Sequence, residues 1–315
     1  MRKYLIIFSL ILLGFSAMQS ASALTLMEKP PKMRVGLFSS DDWVEATVNG
    51  AYYIKSKGTI IKEVPKNQIT KITYDRSSAT YYIEQNGENF ASDSFVRLVP
   101  KKKSRIITVT SYENRPTWDV TLNDNEFKGK LEIRYAEATD TTWVIEIVGL
   151  ENYVKGVAEA GNDNDADYLK TLYTAARTYA YWHYSNPSRH ADEYYTLNTT
   201  ANDQVYRGYN FTERAPNIAQ AVEDTRGMVV TYDDELAITP YFSNSDGRTR
   251  SWSEVWNGDY PYLVTKDDPG CAGMTLTGHG VGLSAYGARY FAEQGWGWKK
   301  ILKYYYTGVK MQAIY

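Results

Sequence analysis

From Met33 to about Thr121 the chain is written in short runs that alternate apolar and polar residues, with almost no helical period. Successive side chains on a strand point to opposite faces, so this alternation specifies strands with one buried face. Arg34-Val35-Gly36-Leu37-Phe38, Ala51-Tyr52-Tyr53-Ile54-Lys55 and Arg105-Ile106-Ile107-Thr108-Val109 are examples. Between Tyr81-Tyr82-Ile83-Glu84 and Phe90 stands Asn86-Gly87, a dipeptide that tolerates the positive φ of a tight hairpin turn. Lys101-Lys102-Lys103 after Pro100 reads as a solvated turn or an edge-strand guard, with contact to an anionic polymer as the alternative. A further strand pair, Leu131 to Tyr135 and Thr142 to Val148, leads into Leu150.

The period then changes. Asp165 is a plausible N-cap, and Leu169, Leu172, Tyr173, Ala176, Ala180 and His183 recur at three- and four-residue steps until Asn186-Pro187 stops the helix. Shorter helices are expected over Asn217 to Glu223, Ser284 to Glu293 and Trp298 to Tyr305, with Gly295 and Gly308 as C-terminal caps. A strand from Met228 to Tyr232 and a turn at Asp233-Asp234 lie between them. The expected fold is therefore α+β: a β-rich N-terminal region over 24–125, followed over 126–315 by a mixed domain of antiparallel strands with several helices.

The first 23 residues read as an export signal: Arg2 and Lys3, an apolar run from Tyr4 to Phe15, then Ala21-Ser22-Ala23. The run is shorter than the ~20 residues that span a bilayer, so an uncleaved anchor is the weaker alternative. No later stretch is apolar enough to cross a membrane. The lone Cys271 excludes an internal disulfide and any CxxC motif. With 35 basic against 37 acidic residues, the charge does not describe a nucleic-acid binder. The 28 Tyr and 8 Trp suit half-wet surfaces such as sugar faces, or simply a Tyr-rich β-region.

Four stretches concentrate chemistry. In the first, Leu150 to Ala160, Glu159 lies between apolar residues just before the polar loop Gly161 to Asp165. A carboxyl at such a boundary can lose hydration, which raises its pKa toward that of a general acid; an exposed loop glutamate is the bland alternative. Arg177, on a mostly apolar helix face, wants a ligand or, equally, a structural carboxylate. The second stretch, Asp203 to Tyr209, offers Gln204 and Tyr206 beside glycine in an expected loop. The third, Tyr241 to Thr249, opens an apolar strand end into Ser243, Ser245, Gly247 and Thr249, a set able to grip a polyhydroxylated ligand or to cap a turn. In the fourth, Gly278 to Ala288, glycines flank His279 ahead of Ser284 and Tyr286 at a helix start. Cys271 and His279 fall short of the three or four protein ligands of a zinc site, so neither a metal nor another cofactor is expected, zinc remaining the weak alternative. No G-x-S-x-G is present to mark a serine nucleophile elbow.

Together these stretches resemble the SpoIID/LytB family of bacterial cell-wall proteins. Tyr153-Val154-Lys155-Gly156-Val157 and Ala175-Ala176-Arg177-Thr178-Tyr179 are similar to the family's opening signature. Gln204-Val205-Tyr206, Thr225-Arg226-Gly227, Ser243-x-Ser245-x-Gly247-x-Thr249, Val255-Trp256, Gly278-His279-Gly280-Val281-Gly282-Leu283-Ser284-x-Tyr286-Gly287 and Tyr305-Tyr306-Thr307-Gly308-Val309 follow in the family's order. The resemblance spans roughly Glu126 to Lys310 and implies a lytic transglycosylase cleaving peptidoglycan glycan strands, with a preference for strands stripped of stem peptides. It implies one glutamic acid serving as acid and then base, with the other eight polar, glycine and aromatic positions named above, together with Arg177 and Gln204, contacting substrate. It also implies a secreted or periplasmic, wall-associated protein with a cell-wall amidase as a possible partner. Counted without gaps, the family's glutamate position falls on Gly161, with no Met-Pro after it. A shorter loop makes Glu159 the equivalent, since no other glutamate lies between Gly156 and Arg177. The alternative is an inactive site, and a glycan-binding enhancer of an amidase like the LytB side of the family.

Overall fold

The structure is a computed structural model describing residues 26–187 and 189–315. The expected export signal at 1–23 lies outside the described residues. The alternating runs form two sheets, antiparallel throughout except where Leu197–Asn198 pairs parallel with Lys32–Ser39. The six-stranded sheet runs Glu126–Phe127, Ile107–Val109, Val44–Val48, Thr70–Asp75, Thr80–Gln85 and Glu88–Ser92 in spatial order. Its alternation is direct: Val44, Ala46 and Val48 are buried while Glu45 and Thr47 are half-exposed. Asn86 and Gly87 turn the last hairpin at φ 52° and 77°, the double positive φ that the dipeptide supplies.

The seven-stranded sheet runs Leu197–Asn198, Lys32–Ser39, Thr141–Gly149, Lys130–Ala136, Val96–Pro100, Tyr52–Ser56 and Thr59–Val64. Lys32–Ser39 pairs antiparallel with Thr141–Gly149 and Val96–Pro100 with Lys130–Ala136. The boundary expected at 125/126 thus falls inside one shared sheet, over one continuous hydrophobic core. Thr141–Gly149 is central, so Val144, Ile145 and Glu146 are all buried in succession. A strand covered on both faces loses its alternation, and Glu146 is carried inside with it.

The helices are α1 (Leu150–Lys155), α2 (Ala166–Ser185), α3 (Gly208–Arg214), α4 (Pro216–Asp224), α5 (Trp252–Val255), α6 (Ala285–Glu293) and α7 (Trp298–Tyr305). The Asp165 side chain caps α2 by accepting from the Asp167 and Tyr168 amides, which satisfies two of the four orphan donors of a helix start. α2 packs against α1, α4, α6, α7 and the strand Met228–Tyr232. Leu169 and Leu172 are almost wholly buried there, each stabilising by about 2 kcal/mol. Three helices were not expected. α1 is only six residues and α5 only four, too short to show a period, and α3 starts inside the expected 203–209 loop.

Tyr241–Phe242 pairs parallel with Leu283–Ser284. Together with the bridges Asn244 to Thr277 and Arg250 to Val281, this brings the third and fourth stretches side by side. Likewise the bridge between Val157 and Tyr206 lays the first stretch against the second. Among the described residues no helix is long and apolar enough to cross a membrane.

Candidate active site

Glu159 is positioned by backbone. Ala158 N–H donates to Val205 O at 2.7 Å and Arg207 N–H to Gly156 O at 2.8 Å. That ladder holds the Glu159 carboxyl over the Val205 amide, which donates to Oε1 at 2.8 Å. Gly156 makes the approach possible, because a Cβ there would lie 2.5 Å from the Tyr206 ring. Among the described residues Oε2 has no hydrogen-bond partner, and the half-buried side chain leaves it at the edge of the packed interior. Burial raises the Glu159 pKa, and the Val205 amide opposes this only in part. The neutral acid is the favoured form over a wider pH range than for a free glutamate.

Tyrosines surround it. The Glu159 charge adds to the burial that pushes up Tyr153, Tyr168, Tyr173 and Tyr241, with Tyr168 at about 12. Their hydroxyls stay protonated at neutral pH and can only donate or accept hydrogen bonds. Gln204, fully buried, organises two of them: it accepts from Tyr153 Oη at 2.9 Å and donates from Nε2 to Tyr241 Oη at 2.9 Å and to Ala176 O at 3.2 Å. Tyr173 Oη donates to Val157 O at 2.8 Å, bracing the segment that carries Glu159.

Tyr241 links this network to His279. Nδ1 of His279 accepts from Val281 N–H at 3.1 Å, so its proton sits on Nε2, which donates to Tyr241 O at 3.1 Å. Burial lowers its pKa, with the Tyr241 carbonyl opposing, which favours the neutral ring. With both nitrogens on backbone, His279 acts as a brace between the glycine ribbon and Tyr241 and has no free nitrogen for a ligand. Its ring lies against Phe242 and Trp256, with centroids 5.5 and 4.9 Å away. Cys271, weighed with it for zinc, is buried beside Ser284 Oγ at 3.5 Å.

Several expected substrate contacts are instead internal. Arg177 is fully buried, with Nε and Nη2 forked onto Glu151 at 3.0 and 2.8 Å and its remaining donors on Val222 O, Met228 O and Thr225 Oγ1. No donor is left for a ligand; of its two readings the geometry matches the structural ion pair. Tyr206 is buried too, stacked on Tyr153 with centroids 4.9 Å apart and donating to Glu146 Oε2 at 2.7 Å. Ser245 Oγ donates to Asp268 Oδ2 at 2.7 Å and accepts from Gly247 N–H at 3.1 Å. Thr249 Oγ1 accepts from Lys266 N–H at 2.8 Å, and Ser284 Oγ caps α6 by accepting from Gly287 N–H at 3.1 Å. Buried hydroxyls must be hydrogen-bonded, and these are satisfied within the fold. Ser243 and Tyr286 remain exposed, joined by a 2.9 Å bond from Tyr286 N–H to Ser243 O. They, with half-exposed Gly247 and His279, are the members of the expected set that reach the surface.

Three residues were not among the expected contacts. Tyr241 and Tyr153 are visible only through Gln204, because a glutamine with no water must find both a donor and an acceptor. Asp268, fully buried, takes Ser245 and Tyr305 Oη, the latter at 2.9 Å. No local signal in the sequence marks it.

The folded chain is thus a mixed α+β protein whose half-buried glutamic acid is held by backbone within a tyrosine cluster. Residues 138–232 match the family model described as SpoIID: Stage II sporulation protein, and over that stretch the chain is similar to that family. It is 35% identical over 100 residues to the amidase enhancer of Bacillus subtilis, covering 32% of this chain and 12% of that protein. It is 31% identical over 145 residues to an uncharacterised protein of Brachyspira hyodysenteriae, covering 45% and 38%. To stage II sporulation protein D of Bacillus subtilis it is 24% identical over 258 residues, covering 53% of this chain and 75% of that protein. The chain spans well under two thirds of the length of the amidase enhancer and of the Brachyspira protein.

Proposed function

We propose that the protein is an exported, wall-associated lytic transglycosylase that cleaves the MurNAc–GlcNAc bond of peptidoglycan, preferentially on strands stripped of stem peptides. The observation that carries this reading is the Glu159 carboxyl: burial raises its pKa and so favours the protonated acid, and Val205 N–H occupies Oε1, which leaves Oε2 to carry the proton. In the first step Oε2–H protonates the glycosidic oxygen leaving C1 of MurNAc, and the C1–O bond breaks. The resulting carboxylate then takes the proton of the MurNAc C6 hydroxyl as that oxygen closes on C1, giving the 1,6-anhydro ring and restoring the acid. The proton lent stays on the leaving GlcNAc oxygen, the C6 hydroxyl supplies the one that restores the acid, and water is not consumed. A second carboxylate to activate water, required of hydrolytic glycosidases, is not required here. The protonated tyrosines and the Gln204 bridge keep the surroundings of Glu159 uncharged, which sustains its raised pKa.

The test is incubation of purified sacculi, intact and amidase-treated, with the parent and Glu159→Gln. The parent should release anhydro-disaccharides or anhydro-muropeptides, and the variant should bind sacculi without releasing them. A second reading, a non-catalytic glycan-binding enhancer of an amidase, draws on the similarity to the protein named amidase enhancer. Under that reading the parent releases nothing alone, and both proteins stimulate a co-incubated amidase equally.

A further inference from the structure

At one end of the β-rich part, three loops between strands meet around an open depression of about 470 Å³, within the ~300–1,000 Å³ of ligand clefts. Its lining includes Lys66, Lys101, Lys102 and Arg105. The loops, residues 49–51, 65–69 and 101–106, contain no Asp or Glu. Lys101 is paired to Glu63 at 2.6 Å. Among the described residues, Lys66, Lys102 and Arg105 have no carboxylate within ion-pair distance. This runs against a chain whose formal net charge is -2, so the local excess of positive charge is not a sample of an overall basic surface.

The site is also built. Gly50 carries no side chain where a Cβ would lie 2.6 Å from Arg105 Cδ and 2.8 Å from its Nε. The Arg105 stem therefore lies flat on the Gly50 backbone. Its loop is fixed on both sides, by Arg105 N–H to Lys102 O at 3.0 Å and by Ile106 N–H to Asn49 Oδ1 at 2.9 Å. A guanidinium held in place loses less freedom on engaging an oxyanion, and its planar fork matches two oxygens of a phosphate. Three unpaired cations over an open surface suit repeated charges on one strand better than a single enclosed anion.

We propose that this depression binds a phosphodiester-type polyanion, seating one phosphate on Arg105 between Lys66 and Lys102 while neighbouring phosphates run out across Lys101 and Lys103. It is a contact remote in sequence from Glu159 and serves to hold the protein on a phosphate-bearing polymer. The contact is electrostatic and weakens as salt rises.

The full mature chain is titrated with fluorescent inorganic polyphosphate as probe, against orthophosphate, polyglutamate and phosphatidylglycerol vesicles. Polyphosphate should bind, and the triple variant Lys66→Gln, Lys102→Gln, Arg105→Gln should weaken it about 100-fold at low salt. Gly50→Ala, which keeps every charge and only displaces Arg105, should weaken it about fivefold. Sacculi stripped of phosphodiester polymers should retain less parent protein than unstripped ones, with the triple variant indifferent to stripping. Unchanged polyphosphate affinity in the triple variant overturns the proposal. So does equally tight binding of polyglutamate, or a triple-variant defect confined to vesicles, which would assign the cations to a lipid surface. Glycan cleavage by the triple variant on stripped sacculi should match the parent, so loss of one activity is read separately from loss of the other.

Discussion

Glu146 provides a prediction whose size follows from the structure. It is fully buried, accepts from Tyr206 Oη at 2.7 Å and Lys128 N–H at 3.0 Å, and among the described residues has no cation as partner. Burial pushes its pKa up from 4.5 to about 7. A carboxyl raised in the folded state binds its proton more tightly there than in the unfolded chain. Its contribution is fully present below the unfolded pKa and is lost as pH rises through the folded one. Between pH 5 and pH 8 that loss is about 2.5 kcal/mol, at 1.36 kcal/mol for each unit of differential pKa. Glu146→Gln keeps an oxygen for the Lys128 N–H and turns an amide N–H toward Tyr206 Oη, which can accept it, but cannot ionise. Urea unfolding followed by tryptophan fluorescence, at pH 5, 6, 7 and 8, gives the stability of each protein. The stability of Glu146→Gln minus that of the parent should grow by about 2.5 kcal/mol across this range. A difference that stays flat within about 0.5 kcal/mol would refute the reasoning, because the carboxyl would then titrate alike in the folded and unfolded chain.

Arg177→Met strands the buried Glu151 charge and should cost about 3–5 kcal/mol in the same unfolding assay, while Arg177→Met with Glu151→Leu should recover most of that loss. Gly287→Ala places a methyl group against Asp268 Oδ1 and Tyr305 Oη, and should destabilise by about 3 kcal/mol with a matching fall in thermal midpoint. His279→Ala removes the brace on Tyr241; glycan cleavage should fall while sacculus binding persists, as measured by product release and pull-down. In the pH profile of kcat/KM, activity should decline on the alkaline side as Glu159 loses its proton, with the limb lying above the ordinary carboxylate range.

What was legible in the sequence was local. Asp165 caps α2, and Asn186 follows its last residue, where side-chain spacing and Pro187 put the end. Asn86-Gly87 turns a hairpin because two residues suffice to set its geometry. The partners of buried polar groups were not legible, since they come from distant segments. Arg177 meets Glu151 from α1, Ser245 meets Asp268, and Tyr206 meets Glu146 on the strand Thr141–Gly149. Clustered hydroxyls and a guanidinium look the same in sequence whether they face a sugar or one another. Strand pairing has the same limit: Lys32–Ser39 finds Thr141–Gly149 more than a hundred residues away, so the shared sheet could not be read from the change in period near residue 125. Glu146 was hidden for a related reason, standing in a run whose burial on both faces removes the alternation that would have marked it.

The most direct measurement is mass spectrometry of glycan strands digested by the parent and by Glu159→Gln in water enriched in heavy oxygen. A carboxyl that lends and recovers one proton predicts anhydro ends from the parent with no heavy oxygen in them, and no such ends from the variant. Heavy oxygen at the new reducing ends, or equal product from the variant, would contradict it.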